Sequence, residues 1–508
     1  MLKVLLVTGK LAQEVVKRSL SEAKLDGIKI EVKVLEHPIA ALMSIDYLKE
    51  RLKKEKLDYD LVVIPGLIPG DASKIEEEIK IKVVKGTEDA SDIPFLIDAI
   101  RRGVPLSPTE AADRVIKSQS EEEFMRIYNE IKEKAKVAFE VNGLKIPIRP
   151  PPFIVAVEIN PKLTPKEVEE EVYRVSDFAD IIVVGNEVGI NDPELMKRKV
   201  RASLDSGKVI GVDSISPREL IEGVKEGASL VLNLTIDNIE SLDVIKREAA
   251  FVIAPIEGGA EEVEKVLRRA EEMGYNRLML DSILKPPLFG LVDSIIEFNK
   301  LRKLNYPLFI GILNVSELID ADSTGVNALL TNVAAELGAS VLLTMDEGRS
   351  FGSSWEVKLS SMITSVAMYK GKTPKGLGKD LLILKERGGP KTLIKERAEE
   401  EVRVDEVIEP TMSKKGYLKI GVDKEIEVYY YPSGSIKPKK AFYGKDPLSL
   451  GRKIVKELSL EPEHSLYLGY ELAKAKIALD LGKTYIQDKE LFSELPWIKK
   501  VRRKAIST

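Results

Sequence analysis

Short apolar runs alternate with amphipathic stretches through most of the chain, and their spacing sets the expected architecture. Counting from Pro152, apolar runs fall at Phe153–Glu158, Ile181–Gly185, Val209–Asp213, Leu230–Asn233, Phe251–Ala254, Leu278–Asp281, Leu308–Gly311 and Val341–Thr344. Each has the length of a buried strand. The stretches between them carry apolar residues at helical spacing, as in Thr164–Val175, Asp192–Ser203, Ser216–Glu226, Glu261–Met273 and Gly325–Leu337. Eight strand–helix units in about 220 residues have the size and rhythm of a (β/α)8 TIM barrel. The pattern assigns it residues 149–372. A doubly wound sheet is the competing architecture, and eight consecutive units without a break favour closure.

The flanks read differently. Residues 1–148 give strands at Val4–Val7, Ile28–Val34 and Leu61–Ile64, with helices at Leu11–Ala23 and Ile45–Lys54 between them. This β-α-β-α-β order predicts a small parallel α/β, Rossmann-like domain. A charged helix over Glu121–Asn142 is expected to end it, followed by a stiff proline-rich connector, Ile146–Pro152. Residues 373–508 predict an α+β domain, with strand-like runs Leu381–Leu384 and Ile426–Tyr431 and an amphipathic helix near Tyr467–Leu481. The tyrosines Tyr429, Tyr430 and Tyr431 read as a strand face.

Composition narrows the chemistry. Among 508 residues there is no cysteine, and the only histidines are His37 and His464. Disulfides, thiolate-bound metals and cysteine nucleophiles are excluded, and a multi-histidine metal site cannot be built from one chain. The expected metal content is none, which leaves carboxylates, amides, hydroxyls, Lys and Arg. The 78 basic residues nearly balance the 82 acidic ones, so neither nucleic acid nor an anionic membrane is an expected partner. The run Lys499–Lys504 reads as a solvated basic tail. No apolar stretch is long enough for a membrane span, and a soluble cytoplasmic protein is expected.

Acids and amides recur at the strand ends: Glu158 and Asn160, Asn186 and Glu187, Asp213, Asn233, Asp281, and Asn314 with Ser316. In a TIM barrel, ligand-binding side chains sit at these C-terminal ends. Helix capping also uses Asp and Asn. Asp213, Asn233 and Asp281, however, end the apolar strand itself rather than preceding the helix. Carboxylates accept from N–H donors, and amides both donate and accept. Such a ring of side chains matches the amine, ring N–H and carbonyl edge of a pterin without metal or positive charge. The loop Asp346–Trp355, with Gly348 and Gly352, is a candidate lid.

These residues carry a resemblance. The middle segment is similar to the pterin-binding domain family, shared by dihydropteroate synthases and methyltetrahydrofolate-dependent corrinoid methyltransferases. The whole chain resembles archaeal dihydropteroate synthase-like proteins. Val212-Asp213-Ser214 matches the strand-three Asp of that family and Leu232-Asn233 its strand-four Asn. Leu280-Asp281-Ser282-Ile283-Leu284-Lys285-Pro286 is similar to the methyltransferases' Asp-Pro-Leu-X-Leu-Pro, and Gly311-Ile312-Leu313-Asn314-Val315-Ser316 to their Gly-X-Ser-Asn-Val-Ser. The resemblance implies a reduced pterin of the tetrahydrofolate or tetrahydromethanopterin type, bound by Asp213, Asn233, Asp281, Asn314, Asn160 and Asn186. Asp281 and Asn314 would be the catalytic pair, with Asn314 near the reactive ring nitrogen. Asn160 falls where the synthases keep an Asn that contacts pyrophosphate. Lys285 and Arg349 are the candidate lid or anion contacts.

The synthases' Ser-Arg-Lys after strand seven and Arg-X-His on strand eight are replaced here by Glu317-Leu318-Ile319-Asp320 and Thr344-Met345-Asp346-Glu347. The departure favours a transferase moving a methyl or one-carbon group, with a corrinoid protein or other methyl acceptor as partner. A synthase joining hydroxymethyl-dihydropterin diphosphate to an aryl amine is the alternative, and only that reading requires Mg²⁺. A non-catalytic pterin carrier or sensor is the third. The relatives imply a homodimer.

Overall fold

The computed structural model describes residues 1–384, 400, 402–404 and 415–492, apart from residues 22, 56, 89 and 257. The basic run Lys499–Lys504 lies outside them. The chain divides into two compact units, Met1–Glu396 and Arg397–Thr508. Among the described residues no helix is long and apolar enough to cross a membrane.

The first unit opens with four parallel strands, β1 (Leu2–Gly9), β2 (Ile28–Leu35), β3 (Leu61–Ile64) and β4 (Lys82–Lys85), in the order β2-β1-β3-β4. Leu5, Val7, Val62 and Ile64 enter one core, and Val4, Leu6, Val63 and Val84 enter another on the opposite face. Burial on both faces is why these strands read as unbroken apolar runs.

The helix expected over Glu121–Asn142 is displaced. It spans Ala112–Glu133, and the chain then forms a hairpin, β5 (Val137–Val141) and β6 (Leu144–Pro147). The turn residues Asn142 and Gly143 both have positive φ, 43° and 81°. That is the turn chemistry Asn-Gly favours between two strands. The expected connector therefore begins as a strand. Val141 and Ile146 join the core inside the barrel, and Ser340 and Asn142 tie the hairpin to the barrel's lower end (Ser340 Oγ to Pro147 O, 2.7 Å; Asn142 Nδ2 to Ser229 Oγ, 3.0 Å).

Eight parallel strands then close a barrel: β7 (Ile154–Glu158), β8 (Ile181–Gly185), β9 (Val209–Asp213), β10 (Leu230–Leu234), β11 (Ala250–Ile253), β12 (Leu278–Leu280), β13 (Leu308–Gly311) and β14 (Ala339–Met345). All eight expected strands are present, and β14 pairs with β7 to close the ring. Alternate residues face inward, including Ile154 and Ala156, Val209, Met279, Phe309, and Val341 and Leu343. Their neighbours pack outward on the helices, as Val155, Val157, Ile210 and Leu342 do. The helix Ser353–Lys370 returns to the Ala112–Glu133 helix through Phe124, Tyr128, Ile363 and Val366. The run Leu381–Leu384 is not a strand. Leu381 packs against this helix pair instead, while Leu382 to Leu384 are exposed.

The second unit is α+β, as expected. Strands β15 (Gly416–Val422), β16 (Ile426–Pro432) and β17 (Lys440–Gly444) form an antiparallel sheet. Helices Pro447–Leu458 and Pro462–Asp480 cover its Leu418, Ile420, Val428 and Phe442. The other face carries cross-strand tyrosine pairs, Tyr417 on Tyr431 (4.8 Å between centroids) and Tyr429 on Tyr443 (6.2 Å).

Candidate functional site

At the C-terminal end of the barrel the inward positions change from apolar to acidic. The alternation Ile154, Ala156 continues to Glu158; Val209, Gly211 to Asp213; and Met279 to Asp281. With Asn233 and Asn314, these three acids line a cavity of about 140 Å³. Leu232, Val252, Phe309 and Leu343 supply its apolar wall. Of the eight site residues expected from sequence, the structure brings four together here: Asp213, Asn233, Asp281 and Asn314.

Each of the four is held by local geometry. Asn233 Nδ2 donates to Asp213 Oδ1. To do so, Asn233 leaves the strand conformation (φ 63°), where the β10–β11 register shifts between Val231 and Leu234. Asn tolerates that left-handed region better than most residues. Asn238 then fixes the bulge, donating to Asn233 O (2.8 Å) and accepting from Thr235 N (2.9 Å). Asp281 accepts from the backbone N–H of Ile283 at 2.7 Å, and Ile283 itself sits at φ 62°. A β-branched residue there is strained, and such strain concentrates at ligand sites. Asn314 lies in a single turn, Leu313–Ser316, immediately after β13.

Two glycines make room. A Cβ on Gly185 would lie 2.7 Å from Asp213 O, and one on Gly311 would lie 3.2 Å from Asn314 Nδ2. Gly185→Ala is expected to push β8 from β9, cost about 1–3 kcal/mol as overpacking does, and misplace Asp213. Thermal melting and ligand titration of that variant would check both effects. An unchanged melt would mean that the contact relaxes freely.

The pocket's electrostatics are unusual. Burial pushes Asp281 up to about 7, against the opposing pull of the Ile283 N–H. Burial also raises Asp213 to about 6. Glu158 is pushed up to about 8 by burial and by the neighbouring charges of Asp213 and Glu317. Glu317, half-buried on the loop after β13, is itself raised by burial. Among the described residues no Lys or Arg lines the cavity.

The other four expected residues serve the loops. Asn160 donates to Glu347 Oε2 (2.5 Å) and accepts from Lys162 N (2.8 Å), joining the first and eighth loops. Asn186 donates to Asp192 O (3.0 Å) and Glu219 Oε1 (2.6 Å), within a buried network that also holds Ser214. Lys285 does not line the cavity; its side chain lies beside Gly290. Arg349 pairs with Asp320 (3.2 Å) and donates to Glu317 O (3.1 Å). The candidate lid is anchored as well. Arg174 donates to Asp346 Oδ1 (3.0 Å) and Asp346 O (2.7 Å), and its guanidinium stacks over Phe351 at 5.0 Å.

Glu158 is the lining acid that the strand-end pattern marked but the site assignment passed over. The period-2 alternation from Ile154 was the signal that would have placed it inside.

The family model DUF6513, a family of unknown function, matches residues 2–88. The model PterinBD-DUF4346 matches residues 412–488. The uncharacterized protein MJ0107 of Methanocaldococcus jannaschii is 32% identical, with 97% of this chain and 99% of that protein covered. Among solved structures, dihydropteroate synthase from Thermus thermophilus covers 42% of this chain and 97% of its own, at 18% identity and a TM-score of 0.34. Yersinia pestis DHPS with a pterine–sulfa conjugate covers 46% and 99%, at 15% identity and a TM-score of 0.37.

Proposed function

We propose that the barrel of this chain, which belongs to the same family as the uncharacterized protein MJ0107, binds a reduced pterin and acts as a dihydropteroate synthase-like, pterin-dependent transferase. The pterin is of the tetrahydrofolate or tetrahydromethanopterin type, and the group moved is a methyl or other one-carbon unit. The observation that carries this reading is the convergence of three carboxyls and two amides on one small pocket with no cation among its described lining residues. Asp213 and Asp281 accept from the N–H edge of the ring, Asn233 keeps Asp213 aimed, and the apolar wall faces the ring plane. Asn314 lies at the next strand end beyond Asp281 and hydrogen-bonds the ring nitrogen that carries the one-carbon unit. The pterin supplies the transferable group. The protein supplies orientation and a preorganised polar surround.

Two further observations support transfer over synthesis. Barrels often take phosphate near the seventh and eighth loops, at a helix N-terminus. In this chain a resident carboxylate fills that place. Asp346 accepts from Gly352 N (2.7 Å), Ser354 N (2.9 Å) and Ser354 Oγ at the start of the Ser353–Lys370 helix. A diphosphate substrate would have to displace it.

The rim of the pocket, in turn, suits a large acceptor. The loops that follow the barrel strands expose apolar side chains, among them Val188, Ile215, Ile256, Leu288, Phe289 and Leu318. Such a surface favours a protein-borne acceptor, for which a corrinoid protein has suitable chemistry.

Titration of the full chain with tetrahydrofolate and tetrahydromethanopterin is expected to give saturable binding. Incubation of the methylated pterin with a reduced corrinoid protein is expected to give methyl transfer. No binding to either pterin would sink the proposal. Binding without transfer to any acceptor would reassign the chain as a carrier, and product from hydroxymethyl-dihydropterin diphosphate and an aryl amine, with Mg²⁺, would restore the synthase reading.

A further inference from the structure

We infer that Glu158 reads the ligand as a hydrogen-bond donor: its carboxyl keeps a proton in the pocket and offers that O–H to an acceptor atom of the bound heterocycle. The inference rests on the pterin reading above and adds a requirement that the two aspartates do not impose. The ligand must present an acceptor, a ring nitrogen or carbonyl oxygen, as well as an N–H edge.

The geometry begins with three carboxyls, Glu158, Asp213 and Asp281, around one cavity of about 140 Å³. Like charges in so small a buried space do not all ionise together, so the group keeps at least one proton near neutrality. The hydrogen bonds decide where that proton resides. Asp213 receives the Asn233 amide and Asp281 receives the Ile283 N–H, and both donors favour the charged form. Glu158 receives no such donor among the described residues; burial, Asp213 and Glu317 all act against its charge.

The surrounding groups leave this assignment in place. Asp213 faces Glu158 from β9, Glu317 from the loop after β13, and Asp281 lies in the same cavity wall at the end of β12. On the loop after the neighbouring strand β14, Asp346 is held by Arg174 and Glu347 by Asn160. Among the described residues no cation lines the cavity to draw the proton off Glu158. A buried acid kept neutral so that it can donate is an established way to recognise an acceptor oxygen or nitrogen.

The test uses the full chain, tetrahydrofolate as probe under anaerobic conditions, and dissociation constants from about pH 6 to 9.5. The donor form of Glu158 is lost as pH rises through about 8, so wild-type binding is expected to weaken on the alkaline side. Glu158→Gln keeps an N–H donor that does not titrate. It is expected to bind as the wild type does near neutrality and to keep that affinity at high pH. Glu158→Ala leaves the ligand's acceptor unpaired and is expected to bind about tenfold more weakly near neutrality, roughly one lost hydrogen bond.

Parallel weakening of wild type and Glu158→Gln at high pH would overturn the inference, because the titrating group would then lie elsewhere. Glu158→Gln falling to the level of Glu158→Ala would overturn it too. In both cases tetrahydrofolate still binds the wild type, so the pterin reading stands. Absence of wild-type binding to any reduced pterin removes that reading, and this inference with it.

Discussion

Asp281→Asn is expected to weaken binding of a reduced pterin by about 30- to 300-fold, the cost of roughly 2–3.5 kcal/mol for replacing a buried charged acceptor by an amide. Asp281 is buried at the end of the sixth barrel strand and accepts a protein hydrogen bond from Ile283 N. Its remaining lone pairs face the cavity. An amide there presents either one weaker acceptor or an N–H aimed at the ligand's own N–H edge. The Ile283 contact survives through the amide oxygen, so the melting temperature should stay near that of the wild type, which separates a binding defect from a folding one. The pH dependence has a definite sign. Asp281 takes a proton as pH falls through about 7, so the difference between wild type and variant should shrink on the acid side. Fluorescence or calorimetric titration at two pH values measures both effects. Equal affinities for wild type and variant would show that Asp281 does not touch the ring.

Arg174→Ala is expected to lower stability by about 3 kcal/mol, the scale for leaving a buried charge without its partner. Asp346 is almost fully enclosed, and Arg174 is its counter-charge at 3.0 Å. Arg174 also donates to Asp346 O and stacks on Phe351, so one side chain joins the first barrel helix to the eighth loop. The expected outcome is a fall of roughly 5 °C in the melting of the first unit, with proteolysis opening first in the loop after β14. Arg174→Lys should recover only part of this, because an ammonium cannot bond both Asp346 oxygens and stack at once. A melt unchanged in Arg174→Ala would show that Asp346 is satisfied by the Gly352 and Ser354 donors alone.

The barrel was legible because its strands are short, parallel and buried on both sides. Val155, Val157, Val183 and Val184 all read as apolar, whichever way they face. That same property hid the facing: a continuous apolar run does not announce which of its residues line the interior. Glu158 could be placed only by following the two-residue alternation back to Ile154. The hairpin after the Ala112–Glu133 helix was missed because charged residues sustain a helical pattern up to Asn142, although Asn142-Gly143 carried the turn signal. The second unit was the least readable. Its first and third strands are mixed in polarity, because one sheet face holds tyrosines and lysines rather than a buried core.

Local spacing and residue type were enough to establish the eightfold repeat, the absence of thiol chemistry, and the acids and amides at the strand ends. Which of those strand-end residues share a pocket was settled by the closed fold. Asn160 and Glu347 lie 187 positions apart, and Arg174 and Asp346 lie 172 apart, yet each pair is bonded. Those long-range bonds draw Asn160 and Asp346 into loop architecture, while Asn233 reaches Asp213 only because a bulge turns it back. Side-chain partners at such separation depend on how the strands close, which no local pattern encodes.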